Sequence, residues 1–286
     1  MTPNVTPFFD EATNTATYVV ADPESKQCAV IDSVLDYDAA SGRTSTESAD
    51  KVVSHIQSEE LTLTRILETH VHADHLTAAS YLQDILGGEI GIGEQVTAVQ
   101  GVFNKIFNVK DVDPDGSQFD QLLNDGDNLS VGSIEGYVIA TPGHTPSCCT
   151  YVIGDAAFVG DTLFMPDSGT ARCDFPGGDA TMMYDSIMKI FQLPLETRVF
   201  VCHDYNGKNR ENFEWETTIA EQREKNIQIH DGVSKQEFVK FRSTRDATLS
   251  MPKLILPSIQ VNVRAGRFPP PDDNDISYLK IPLNLL

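Results

Sequence analysis

The sequence predicts an α+β fold in which two β-sheets pack face to face with helices on the outside. Strand-like runs are followed by helical periodicity in the first half, and the same succession returns in the second half. There is no internal repeat of 20–50 residues and no low-complexity segment. Nothing marks a flexible linker, so residues 1–286 are expected to form one domain, ending in an extended Pro-rich tail from about 251 to 286.

The elements follow in chain order. Thr17–Ala21 and Cys28–Asp32 are β-rich and flank a turn at Asp22-Pro-Glu-Ser, which predicts a hairpin. Ala49, Val52, Val53 and Ile56 fall at helical spacing. Thr64–Thr69 reads as a strand that delivers His70 at its end. A helix is expected from about His75 to Leu86, stopped by Gly87-Gly88, then a strand at Glu89–Ile92. Residues 94–120 read as a surface excursion with some helix. Strands return at Ile134–Ala140, Thr150–Ile153 and Ala156–Val159, the last two joined by the hairpin signal Gly154-Asp155. Asp179 is placed to cap a helix with the stripe Met183, Ile187, Ile190 and Phe191. A strand at Thr197–Val201 precedes helices at Glu214–Ile227 and Lys235–Arg245, with Trp215 packing the first of these. From Met251 the chain is expected to be irregular.

Composition narrows the function. With 42 acidic against 21 basic residues the formal charge is −21, which repels nucleic acid and anionic membranes. No apolar run approaches the roughly 20 residues that span a bilayer, and the N-terminus has no secretory or Arg-rich transit pattern. Five scattered cysteines without a CxxC pair suggest neither a disulfide framework nor a zinc ribbon, and a reducing cytoplasm is expected.

The chemistry concentrates in His70-Val-His72-Ala-Asp74-His75. Imidazole and carboxylate are ligands for zinc, iron or manganese. In the extended stretch after a strand, His70 and His72 can share a face by the period of two. Three of the chain's seven histidines lie in this hexapeptide, which makes a chance polar loop a poor explanation. Three further strand ends carry His144 in Thr141-Pro-Gly-His-Thr-Pro, Asp161 in Gly160-Asp-Thr, and His203 in Cys202-His-Asp-Tyr. Each alone is weak; their order raises them together.

That order (HxHxDH, a GH loop, a GD loop, a late His) resembles the metallo-β-lactamase superfamily. The resemblance implies a four-layer αββα sandwich with the metal at one edge. The GD loop is typical of glyoxalase II and its relatives. Leu67–His75, the run Arg172-Cys-Asp-Phe, His203-Asp-Tyr205, the helix ending in Asn226 and the tail Leu256–Gly266 look like persulfide dioxygenases, in their stand-alone bacterial form. The segment Met165–Thr170 differs in length from the mitochondrial form.

The resemblance implies a non-haem iron enzyme that oxidises glutathione persulfide with O₂, holding one Fe(II) per chain on His70, His144 and Asp161. Such a triad leaves coordination positions for substrate and O₂. His72, Asp74, His75 and His203 are then groups that orient ligands and water, or else the ligands of a second metal. Asp74 and Tyr205 are the further catalytic candidates. Arg172 and Tyr205 are the substrate-binding candidates, the former for a glutathione carboxylate. A dinuclear thioester hydrolase of glyoxalase II type, using zinc or mixed metals, is the alternative, and a non-catalytic persulfide carrier or sensor a third reading. Relatives suggest a homodimer. Cys148, Cys149 and Cys173 read as small buried hydrophobes. His55, His230, Lys253 and Arg264 read as solvated surface.

Overall fold

The computed structural model describes residues 2–207 and 210–285; Met1 and Leu286, the ends of the expected domain and tail, lie outside the described residues. From the N-terminus the chain runs β1 (Asn4–Asp10), β2 (Thr15–Ala21), β3 (Gln27–Ile31), β4 (Val34–Asp38), β5 (Arg43–Ser45), α1 (Glu47–Ser58), β6 (Thr62–Glu68), β7 (Leu76–Thr77), α2 (Ala79–Leu86), β8 (Glu89–Gly93), α3 (Val96–Ile106) and β9 (Gln121–Leu123). It continues with β10 (Gly136–Ala140), β11 (Cys149–Ile153), β12 (Ala156–Phe158), α4 (Ala180–Ile190), β13 (Arg198–Phe200), β14 (Glu216–Thr218), α5 (Ile219–Lys225), α6 (Lys235–Asp246) and α7 (Ile255–Asn262).

Two sheets form the centre, in the orders β1-β2-β3-β6-β8-β9 and β10-β11-β12-β13-β14. The period of two along each strand sorts its side chains into two cores. Tyr18, Val20, Ala29, Ile31 and Leu67 of the first sheet meet Val138, Tyr151, Phe158 and Phe200 of the second. The alternate residues Val19, Val30 and Ile66 face outward and are covered by α1, α2, α3 and α7. On the far side Val152, Ala157 and Val199 lie under α4 and α6. All seven residues of β2 are buried because helices and the second sheet cover its two faces. This is the αββα sandwich expected from the sequence.

Three expectations need correction. The helix expected from His75 begins at Ala79, because Leu76 and Thr77 pair with Leu35 and Val34 as a short ladder. Glu214–Ile227 is not one helix: Glu216–Thr218 pairs with β13, and α5 starts only after Thr218, whose side chain accepts from the Glu221 N–H. Trp215 therefore lies just before a strand, stacking on Phe9 of β1 with ring centroids 5.6 Å apart while also packing against the core that the helices cover. The tail is not irregular throughout, since it carries α7, whose Ile255 and Ile259 enter the core. Pro257 hid this helix; it sits in the first turn, where a missing N–H costs no intrahelical bond. Asp179 does cap α4, accepting from the Met182 N–H.

Candidate metal centre

Four strand ends reach one edge of the sandwich. β6 delivers His70, β10 the loop with His144, β12 the turn with Asp161, and β13 delivers His203. Two glycines permit the close approach. Gly160 has φ +51°, and a Cβ there would stand 2.5 Å from Thr69 Oγ1. Gly143 lies so close to Met183 of α4 that a Cβ would meet its Cα at 2.4 Å.

The nearest imidazole nitrogens converge on one carboxylate. Asp161 Oδ2 is 3.5 Å from His144 Nε2 and 4.0 Å from His70 Nε2. Bonds of roughly 2.0–2.2 Å to a shared ion place neighbouring donors about 3 Å apart, so this spacing fits one ion after a small contraction. The opposite ring nitrogens settle which ones are free. His144 Nδ1–H donates to the Arg172 carbonyl at 2.7 Å. His70 Nδ1 lies 3.1 Å from Thr69 Oγ1, which itself donates to Asp32 Oδ2 at 2.8 Å. The Nδ1–H of His70 therefore donates to Thr69, and both Nε2 atoms present lone pairs inward. Burial, then the neighbouring imidazoles, hold His70 well below the usual imidazole range, so it is neutral and able to ligate.

A second set of donors adjoins the first. His203 Nδ1–H donates to the Asn14 carbonyl at 3.2 Å, which leaves Nε2 facing Asp74 Oδ2 at 3.0 Å and Asp161 Oδ1 at 3.3 Å. His75 Nδ1 lies 3.4 Å from Asp74 Oδ1, and burial pulls its imidazole down to about 4. His70 Nε2, His75 Nε2, His203 Nε2 and Asp161 Oδ1 are all buried and lack a well-formed hydrogen bond within the protein. Orphaned acceptors at this density are costly unless a cation satisfies them, so the residues fit a metal.

His72 is built differently. Its Nε2 lies 3.0 Å from Asp32 and 3.3 Å from Glu68, both buried, while its Nδ1 faces the cluster without a partner. Asp32 and Glu68 overcome the opposing effect of burial and hold His72 well above the usual imidazole range.

The remaining candidates are placed as follows. Tyr205 is 52% exposed and stacks on His203, with ring centroids 5.9 Å apart and planes 24° apart, at the open side of the cluster. The guanidinium of Arg172 is engaged: its Nε and one terminal nitrogen donate to Asp174 at 2.6 and 2.8 Å, and the other to the Ser250 carbonyl. Arg264 is corrected from solvated surface to a buried residue paired with Asp111, because α7 carries it into the interior. His55 is half-buried and meets Phe8 edge-on, whereas His230 is exposed. All five cysteines are free and buried. Cys202 Sγ belongs to the cluster's surroundings, within 4.8 Å of donors on Asp161 and His203.

Sequence reasoning missed Asp32, Glu68, Thr69, Asn14 and Asn262. Asp32 ends a strand that pairs in parallel with β6, Ile31 against Leu67, so a strand ending in Asp beside one ending in Glu-Thr-His was the available signal.

The comparisons with known proteins agree with this geometry. The model of the metallo-beta-lactamase superfamily matches residues 11–203, which include every donor described above. The chain is 53% identical over 290 aligned positions to a probable metallo-hydrolase of Burkholderia pseudomallei, covering 98% of each. It is 31% identical to the mitochondrial persulfide dioxygenase ETHE1 of Homo sapiens, covering 90% of this chain and 87% of the relative. Among solved structures, ETHE1 from Myxococcus xanthus superposes with a TM-score of 0.73 at 31% identity, covering 92% of this chain and all of that one. The chain belongs to the metallo-β-lactamase superfamily.

Proposed function

We propose that the protein is a mononuclear Fe(II) persulfide dioxygenase that oxidises glutathione persulfide to sulfite. The balanced reaction is GSSH + O₂ + H₂O → GSH + SO₃²⁻ + 2H⁺. The observation that carries the reading is the convergence of His70 Nε2, His144 Nε2 and Asp161 Oδ2, with both imidazoles fixed from behind. Two imidazoles and one carboxylate on one side of an ion leave positions open on the other. Ferrous iron at that corner supplies the redox chemistry with O₂ that zinc lacks. Similarity to the persulfide dioxygenases of Homo sapiens and Myxococcus xanthus supports the same assignment.

The protein's own groups do the rest. The His70–Thr69–Asp32 chain and the Arg172 carbonyl keep the ligand imidazoles in one tautomer. His203 Nε2 and Asp74 Oδ2, 3.0 Å apart, stand beside the triad to orient a bound water. Tyr205 places a phenol at the open side for a hydrogen bond to sulfur or oxygen. Arg172 binds a glutathione carboxylate by exchanging it for Asp174. The five free cysteines fit a reducing cytoplasm. The exposed apolar residues Phe268, Tyr278 and Ile281 of the tail fit a homodimer interface.

A second reading is favoured by the second donor set. Asp74, His75 and His203, with Asp161 between the two sets, would suit a dinuclear thioester hydrolase, and the 53% identical relative is named a metallo-hydrolase. Oxygen uptake by the ferrous-loaded protein on adding glutathione persulfide decides. Uptake with sulfite produced supports the dioxygenase. No uptake with intact ferrous sites, together with two metals per chain and thioester cleavage, supports the hydrolase.

A further inference from the structure

Asn262, the last residue of α7, reaches the metal loop across 190 positions of sequence. Its Nδ2 donates to the His72 carbonyl at 2.9 Å and to the His75 carbonyl at 2.8 Å. Its Oδ1 accepts from the Thr77 N–H at 2.9 Å. The side chain is buried, and the network fixes the orientation of the amide, since a flip would set Oδ1 against two carbonyl oxygens.

We propose that Asn262 is a positioning residue of the metal centre, holding the backbone from His72 to Thr77 in the conformation that aims Asp74 and His75 inward. Between β6 and α2 the loop has only the two-residue β7 as regular structure, so its buried carbonyls need donors from elsewhere. The two carbonyls that Asn262 engages bracket Asp74. A short loop whose backbone is tied on both sides of Asp74 cannot swing that carboxylate out of the cluster.

The tie is rigid because α7 is anchored on its own account. Arg264 grips Asp111 through two nitrogens, and Arg267 grips Asp84 of α2 through two more. Gly266, with φ +89°, lets the chain lie so close to the loop that a Cβ would stand 3.1 Å from the Thr77 carbonyl oxygen. Asn262 thus acts through His72, Asp74 and His75 from a fixed scaffold. The proposal rests on the loop being a metal site and not on which reaction that site performs.

The test compares the full-length wild type with Asn262→Ala, Asn262→Asp and Ser258→Ala, each loaded with cobalt(II). Ser258 is buried in the same helix and its hydroxyl has no hydrogen bond within the protein, so it serves as the packing control. Two quantities are read: the rate of cobalt loss to excess chelator and the position of the visible cobalt bands. Loss of such an outer contact typically weakens a metal site about 10–100-fold. Asn262→Ala is expected to release cobalt at least about tenfold faster with shifted bands. Asn262→Asp, which keeps the acceptor for Thr77 but loses both donors, is expected to follow it, while Ser258→Ala stays at the wild-type rate. If Asn262→Ala does not fold, Asn262→Asp decides by the same readouts. Wild-type release rates and bands in the Asn262 variants, even with a lowered Tm, would overturn the proposal and leave Asn262 an anchor of α7. A wild type that takes up no cobalt would overturn the metal-centre reading as well.

Discussion

Asp32 accepts from both the backbone N–H and the Oγ1 of Thr69, at 2.7 and 2.8 Å, and Thr69 is the residue against which His70 sets its ring. The same carboxylate faces His72 Nε2 at 3.0 Å. One buried side chain therefore orients two neighbouring histidines of the metal loop. Replacing Thr69 with Val keeps the volume and removes the hydroxyl. Metal affinity is expected to fall about 10–100-fold, measured by competition with a chelator. An unchanged affinity would remove the chain Asp32–Thr69–His70 from the centre's design.

Asp32→Ala strips a buried ion pair of one partner and leaves His72 opposite Glu68 alone. The expected cost to the metal-free protein is about 3–5 kcal/mol, because an uncompensated buried group remains. Urea denaturation measures it, and a loss below about 1 kcal/mol would show that the pair is not stabilising.

Asp161 lies between both donor sets, with Oδ2 toward His70 and His144 and Oδ1 toward His203. Asp161→Ala is expected to abolish metal binding, counted by elemental analysis; a fully occupied variant would refute the triad. His203→Ala separates the one-metal and two-metal readings. One bound iron with impaired turnover supports the mononuclear centre, whereas loss of all metal supports the dinuclear one.

Arg172 presents its carbonyl to His144 and its guanidinium to Asp174. If the fork also receives a glutathione carboxylate, Arg172→Ala raises KM for glutathione persulfide more than it lowers kcat. Steady-state kinetics over substrate concentration read the split, and an unmoved KM would leave Arg172 as a clamp of its own loop.

How much of this was legible in the sequence depended on range. The hexapeptide from His70 to His75, the cap at Asp179 and the stripe on α4 are local patterns; the structure gathers the first into a cluster of donors, forms the cap and buries the stripe. Asp32 offered only its place at a strand end and Asn262 offered no signal, because their meaning lies in partners 37 and 185 positions away. In sequence a strand-ending Asp looks like turn chemistry, and an Asn in a Pro-rich tail looks like loop. The start of α2 was misplaced for the same reason: Leu76 and Thr77 have helical neighbours in sequence but strand partners in space.

Burial pushes the thiols of Cys28 and Cys148 up to about 12. They should resist alkylation at pH 8 in the native protein and react once it is unfolded, as mass spectrometry after iodoacetamide can show. The sign is that of an acid held neutral by folding. The associated stability is fully present below about 9, the ordinary thiol value, and is lost as pH rises toward 12. Rapid native labelling of Cys148 would contradict its buried, unactivated setting.

The contact between Asn14 and His203 also bears on how the protein is made. Residues near the two ends of the family-matched segment close the centre together, and Thr15 and His203 form a bridge there. A nascent chain released only as far as Asp161 has the first imidazole pair but neither the last histidine nor its support. During translation the site must wait for β13 to leave the ribosome, so a fragment ending before it would not reproduce the complete cluster.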